Sequence, residues 1–306
     1  MADVCRICPR ECGADRSSGV GYCGAGDDMY VARAMLHMWE EPCISGANGS
    51  GAVFFCGCPL RCVYCQNGEI SRFDGRFGKK TSVSDLGDII LDLQDKGAHN
   101  VNFVSPTQYT YHIIEAVSNV RGKLKIPVVW NTGGYENAST VADLRGIADV
   151  YLTDFKYADA ETAEKYSSAA DYPEAAASSL AEMLNQAGEC VIEAGLMKRG
   201  VIVRHLVLPS RRAESVRVLE KVNEIAGGTS KIKLSLMSQY TPDFADGCPY
   251  PELNRRVTSF EYNHVCEAAA KMGFTGYTQD KTSAKTTYRP DWERGTLGGF
   301  FEKNSP

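Results

Sequence analysis

Gly51-Ala-Val-Phe-Phe-Cys56-Gly57-Cys58-Pro-Leu-Arg-Cys62-Val-Tyr-Cys65 is the stretch that decides the fold. Its first half is a short apolar run suited to a buried strand, and its second half is a loop with three cysteines at Cys-x3-Cys-x2-Cys spacing. Beyond it, short β-branched runs alternate with longer amphipathic ones. Residues 83–96 predict a helix, with Leu86, Ile89, Ile90 and Leu93 at helical spacing. Further helices are expected at 107–120, 139–145, 175–187, 213–225 and 257–272, and strands at 51–56, 100–105, 127–131, 149–155, 201–208 and 231–237. Six strands alternating with helices indicate an α/β chain of parallel units covered by helices on the outer face. A full eight-fold barrel takes about 250 residues, so roughly 220 residues and six units predict a partial (β/α)6 TIM-like barrel, open on one side. The cysteine loop then lies at the C-terminal rim, where such barrels build their active sites.

Three regions are expected: a Cys-rich, loop-rich N-terminal cap at 1–50, the barrel at 51–278, and a polar tail at 279–306 that Trp292, Phe300 and Phe301 can pin down. Of 306 residues, twelve are Cys, and nine of those fall within the first 65. A chain of this length buries roughly three quarters of its unfolded surface and needs no cysteines to staple a small core. The cysteines are therefore read for chemistry. Residues 1–14 are polar and already contain Cys5, Cys8 and Cys12, unlike a signal peptide, and no run approaches the roughly 18 apolar residues of a membrane span. The expected address is a reducing cytoplasm, where clustered thiols hold metal or do redox work. A net charge of −5 with scattered Lys and Arg argues against nucleic acid and for a small or neutral partner.

A four-iron cluster normally takes four thiolates, one per iron, so Cys58, Cys62 and Cys65 leave one iron free of protein ligand. An open iron can chelate the amino and carboxylate groups of S-adenosylmethionine and deliver the electron that cleaves its sulfonium to a 5′-deoxyadenosyl radical. The competing readings are a zinc site with Cys56 as fourth ligand, or thiols that merely pack. Cys56 belongs to the apolar strand and is read as packing. In the cap, Cys5-x2-Cys8-x3-Cys12-x10-Cys23 offers four soft ligands, which suit structural zinc or a fully ligated iron–sulfur cluster. Cys43, Cys190, Cys248 and Cys266 have no partner spacing.

On these motifs the chain resembles the radical S-adenosylmethionine (radical SAM) superfamily, and within it the pyruvate formate-lyase activating enzyme-like branch, a group that includes queuine lyase. The resemblance runs through His37-Met-Trp-Glu-Glu-Pro-Cys-Ile-Ser-Gly46, the segment 58–67, Asn102-Phe-Val-Ser-Pro-Thr107, Asn131-Thr-Gly-Gly-Tyr135, Tyr151-Leu-Thr-Asp-Phe-Lys-Tyr157, Arg204-His-Leu-Val-Leu-Pro209 and Met237-Ser-Gln-Tyr240. It implies a [4Fe–4S] cluster on Cys58, Cys62 and Cys65, with Tyr64 against the adenine of S-adenosylmethionine. Ser105 and Thr107 stand where the superfamily often has a Gly-Gly-Glu segment for the methionine amino group. Asp154 resembles the ribose-binding Asp, and Lys156 and Arg204 resemble carboxylate-binding residues. Asn131 stands where activating enzymes carry an Asp. Asp154 and Arg204 can instead satisfy each other as an internal pair. His205, adjacent to Arg204 on a strand, faces the opposite side and is read as packing on a helix.

Substrate groups are expected at the barrel mouth: Gln108, Tyr109, Gln239 and Tyr240 from strand ends, with Glu40 and Glu41 entering from the cap. Amides and carboxylates suit a flat polar heterocycle. The resemblance implies an enzyme, with a lyase cleaving a C–N bond in a free 7-deazaguanine base as the first reading and a glycyl-radical activase acting on a partner protein as the second. A non-catalytic zinc protein is the third. Either enzyme would need an electron donor such as flavodoxin or ferredoxin.

Overall fold

A computed structural model describes residues 4–279 together with Pro290 and Trp292. Along the chain come β1 (Tyr30–His37), α1 (Pro42–Ser45), β2 (Ser50–Phe55), α2 (Gly68–Ser71), β3 (Lys79–Lys80), α3 (Val83–Asp95), β4 (Val101–Val104), α4 (Thr110–Val120), β5 (Val128–Thr132), α5 (Ala138–Ala142) and β6 (Val150–Asp154). They are followed by α6 (Ala160–Ser167), α7 (Tyr172–Ala187), β7 (Val191–Glu193), β8 (Leu196–Leu206), α8 (Arg212–Ala226), β9 (Ile232–Met237), α9 (Ser259–Lys271) and β10 (Gly276–Thr278).

The strands form a single sheet in the order β10-β9-β8-β6-β5-β4-β2-β1-β3, with β7 paired to β8. From β2 to β10 neighbouring strands are parallel, and the sheet ends at β3 and β10 without closing. This is the partial barrel expected, with the six expected strands present and β10 added beside β9. Side chains on the outer face, such as Phe103, Trp130, Tyr151 and Val203, pack against the apolar stripes of α3, α4, α7 and α8. Ser82 and Asp85 close a reciprocal capping box at the start of α3.

Several elements differ from the sequence expectation, among them α6 and β7, which were not expected. The cap is loop-rich through residue 29, but 30–37 form β1, antiparallel to β2 along the sheet edge. Its alternation is weak because most of its side chains are at least partly covered. After β1 the chain turns inward, and α1 places Cys43 and Ile44 on the concave side against Val129, Val150, Leu152 and Ile202. The strand expected at 201–208 starts earlier, at Leu196, because Ala194 and Gly195, both with positive φ, turn the chain from β7 into β8. In the tail, Trp292 is buried edge-on to Phe54 with ring centroids 5.3 Å apart. Phe300 and Phe301 lie outside the described residues. No helix among the described residues is long and apolar enough to cross a membrane.

Candidate active site

The cysteine loop leaves β2 at the rim of the sheet. Cys56 is buried with its thiol toward the Phe77 carbonyl, 3.5 Å away, and packs with Phe54 and Ile70, in keeping with a packing role. The loop itself is pinned by backbone contacts. The Val63 amide donates to the Tyr166 carbonyl at 2.9 Å, and Arg72 donates to the carbonyls of Cys62 and Val63 at 3.2 Å. Ser167 Oγ lies 3.0 Å from Cys62 Sγ and donates to it. Arg61 takes a left-handed φ of 50°, an uncommon conformation for a non-glycine residue. Burial pushes the Cys58 thiol up to about 12, and Cys62 and Cys65 beside it add to the rise; burial also raises Cys65. Three thiolates this close therefore need positive charge among them, which a metal cluster provides. Among the described residues no three His, Cys, Asp or Glu side chains converge on a point suited to one metal ion. Thiols bound to separate irons of a cluster need no such convergence.

Next to this loop, the C-terminal ends of β5, β6 and β8 carry a buried charge network. Arg204 Nε is 2.9 Å from Asp154 Oδ1, its Nη2 donates to Asn131 Oδ1 at 2.5 Å, and its Nη1 is 3.3 Å from Glu40 Oε2. Lys156 Nζ pairs with Asp154 Oδ2 at 2.5 Å. The charged side chains are between 10% and 16% exposed, so their attraction is little screened. Burial would raise the Asp154 carboxyl, but Arg204 and Lys156 outweigh it and hold the group below the usual carboxylate range. Burial lowers and Asp154 raises the Lys156 ammonium, and the balance is upward, with Cys62 also contributing. Asp154 and Arg204 do satisfy each other, as weighed from the sequence. A ligand carboxylate or ribose at this rim would exchange an internal ion pair for its own contacts.

Glu40 completes the network from the cap side. Its Oε1 accepts from Asn102 Nδ2 at 3.0 Å and Asn131 Nδ2 at 3.2 Å. Glu41 lies beside it, near Ser235 and Arg204, and burial raises both carboxyl groups against the pull of Arg204. Glu41 Oε2 and Asn102 Oδ1 are buried acceptors without a hydrogen-bond partner.

The other expected residues are placed as follows. Tyr64 is buried in a cluster of tyrosines, its hydroxyl 2.6 Å from that of Tyr157 and its ring edge-on to Tyr166 and Tyr240. Ser105 has a φ of 55° and its amide donates to the Asn131 carbonyl. Thr107 Oγ1 donates to Glu136 Oε1 at 2.8 Å. Gln108 Nε2 donates to the carbonyls of Cys56, Gly57 and Ser105, and Tyr109 packs on Phe55 under Arg16. Gln239 accepts from Gln279, and the Tyr240 hydroxyl donates to the Leu253 carbonyl. Cys62, Cys65, Asn131, Asp154, Lys156, Arg204, Glu40 and Glu41 are thus brought together, whereas Gln108 lies beneath the cap cysteines.

Two residues escaped the sequence reading. Asn102 interrupts an apolar strand at an inward-facing position, a signal in its own right. Glu136 is buried and accepts from Thr132 Oγ1 at 2.5 Å, Thr107 and Trp130 Nε1, fixing the turn beside Thr107. Gly134, with a φ of 81°, lets this turn approach β6, and a Cβ there would sit 2.1 Å from the Asp154 carbonyl oxygen. His205 faces away, with Nδ1 2.7 Å from the Phe155 carbonyl and Nε2 2.8 Å from Ser215 Oγ on α8. It packs on a helix, as expected.

Residues 52–198 match the family model described as the radical SAM superfamily. Over 275 residues the chain is 30% identical to an uncharacterized protein of Methanocaldococcus jannaschii, covering 87% of this chain and 74% of that one. Among solved structures, SuiB of Streptococcus suis bound to precursor peptide SuiA is similar with a TM-score of 0.51 at 12% identity, over 73% of this chain and 46% of that one. A radical SAM methyltransferase from Sphaerobacter thermophilus gives a TM-score of 0.50 at 12% identity, over 74% of this chain and 66% of that one. The chain thus spans less than half of the SuiB chain, and at such identity these likenesses are of fold. The span of the family model opens in β2 and closes in β8, taking in the cysteine loop and the strands that carry Asn131 and Asp154, and the chain belongs to the radical SAM superfamily.

Proposed function

We propose that this radical SAM protein acts on a small molecule that presents hydrogen-bond donors, with a free 7-deazaguanine base as substrate and cleavage of a C–N bond as reaction. The observation that carries the reading is the pair of buried, unpartnered acceptors, Glu41 Oε2 and Asn102 Oδ1, bordering the Arg204 network. Each buried acceptor left unpaired costs roughly 1–3 kcal/mol, which a substrate donating to both would recover. Two adjacent carboxyl groups, Glu40 and Glu41, suit a donor edge better than an acidic one.

Cys58, Cys62 and Cys65 would hold the [4Fe–4S] cluster, whose chemistry when bound is chelation and one-electron cleavage of S-adenosylmethionine. Lys156 and Arg204 would hold the methionine carboxylate, Asp154 the ribose hydroxyls, Ser105 and Thr107 the amino group, and Tyr64 the adenine. Asn131 orients Arg204. A flavodoxin or ferredoxin would supply the electron in a reducing cytoplasm.

The test is anaerobic reconstitution with iron and sulfide, then reduction in the presence of S-adenosylmethionine and queuine. Formation of 5′-deoxyadenosine with consumption of queuine supports the reading. A glycyl radical that forms on an added protein, with queuine untouched, would replace it with the activase.

A further inference from the structure

We propose that Cys5, Cys8, Cys12 and Cys23 bind a second, fully thiolate-ligated metal centre, and that this centre braces the catalytic cysteine loop. All four side chains line one cavity, which Gln108 also lines. Cys5 and Cys12 lie close enough for their thiols to interact, and Cys8 and Cys23 lie within electrostatic reach of Cys5 and of one another. Gly21 leaves room between two of them: a Cβ there would sit 3.3 Å from Cys12 Sγ and 3.5 Å from Cys23 Sγ.

Gln108 is held in place from the side of the catalytic loop. It is 4% exposed, its amide nitrogen is spent on three backbone carbonyls, and its Oε1 has no partner. Residues 4–29 contain no helix or strand, just one isolated bridge between Val4 and Asp15. A segment with so little regular structure needs a cross-link to hold four thiols in one place. As no three of these side chains converge on one point, they fit most directly a fully ligated iron–sulfur cluster, one thiolate per iron; a single zinc would draw the loop tighter around it.

The bracing runs through named contacts. The Cys23 carbonyl accepts from the Cys58 amide at 3.2 Å. Arg10, two residues after Cys8, donates to the Pro59 carbonyl at 2.9 Å and to the Ser167 carbonyl at 2.7 Å. Ser167 in turn contacts Cys62 Sγ. The cap therefore touches the catalytic loop directly at Cys58, through its ligand Cys23, and reaches Cys62 through Arg10 and Ser167. The bracing rests on the reading of that loop as the cluster loop, whereas the metal centre itself does not.

The experiment is metal and sulfide analysis of the full chain in which Cys58, Cys62 and Cys65 are all replaced by Ala. About one zinc, or about four irons with matching sulfide, per chain is expected to remain. Adding Cys8→Ser and Cys12→Ser should remove it. A folded triple variant that holds neither metal, or metal that survives the added changes, overturns the centre. If the triple variant does not fold, X-ray absorption at the zinc edge, or the iron count of the wild type, takes its place. A shell of four sulfurs at about 2.3 Å, or more than about four irons per chain, supports it; the absence of both overturns it. For the bracing, Cys12→Ser with the catalytic loop intact should lose its iron–sulfur absorption several-fold faster on dilution than wild type. An unchanged rate overturns that part while leaving the catalytic assignment standing.

Discussion

Cys58, Cys62 and Cys65 follow directly on β2, a strand buried along its whole length, whereas Cys5, Cys8, Cys12 and Cys23 sit in a segment without regular structure. The first set inherits its position from a strand whose register is fixed on both sides, by antiparallel β1 and parallel β4. The second is held by side chains reaching carbonyls across the molecule: Arg10 to Pro59, and Arg16 to Gln108 at 2.6 Å. A strand end can present an open, reactive site because the sheet carries the cost of its geometry. A loop set has to be closed by its own ligands to be ordered at all.

The largest expected effect is at the strand-borne set: Cys62→Ala should abolish iron–sulfur absorption at that loop and cleavage of S-adenosylmethionine while leaving the cap metal in place. Cleavage that persists in this variant would mean that the two sets have been assigned the wrong way round. Arg204→Met should come next. It leaves Asp154 and Glu40 as buried charges short of a partner, and the loss of stability in urea should be about 4 kcal/mol. Cap metal content should not change, because Arg204 contacts none of its ligands; a loss of that metal would join the two regions more tightly than their contacts imply.

His205 tests the other face of β8. Burial pushes its imidazole down to about 4 from an ordinary value of 6.5, so the unfolded chain binds the extra proton between these pH values. The neutral ring's stabilisation is complete above pH 6.5 and is lost as pH falls toward 4, by on the order of 3 kcal/mol. Half-buried His37, also pushed down to about 4, acts in the same direction, so His205→Gln should flatten this acid limb in part. A limb of unchanged depth would show that His205 already titrates normally. The smallest effect is expected from Ser82→Ala, which opens the capping box of α3 behind β2 and should cost about 1 kcal/mol with neither metal site altered.

Most of the parallel strands were legible because they are short apolar runs buried on both faces, and such runs stand out in sequence, whereas the short and partly exposed β10 was not. Segments that lie at the edge or inside the barrel were not. In β1, partly covered residues blur the two-residue alternation, and α1 is four residues long, too short for helical periodicity to show. At the site, Asp154, Lys156 and Arg204 were legible through their resemblance to cofactor-binding residues, and their pairing follows from the register that sets Asp154 opposite Arg204. Glu136 was hidden because its importance comes from three donors, Trp130 and Thr132 on β5 and Thr107 after β4, whose convergence on it no hydrophobic pattern records.

The inward turn that carries Glu40 and α1 also bears on how the chain acquires its fold. Glu40 meets Arg204 across 164 residues of sequence, and Ile44 packs on strands from β5 to β8. The floor of the barrel is therefore laid by an early segment against late ones, a pattern of high contact order that makes folding slow. During synthesis, β1 can pair with β2 at once, but α1 has no complete seat and Glu40 no guanidinium until β8 has left the ribosome. The last event in assembly should then be the docking of this early segment, with the rim of the active site gaining its final order in the same step.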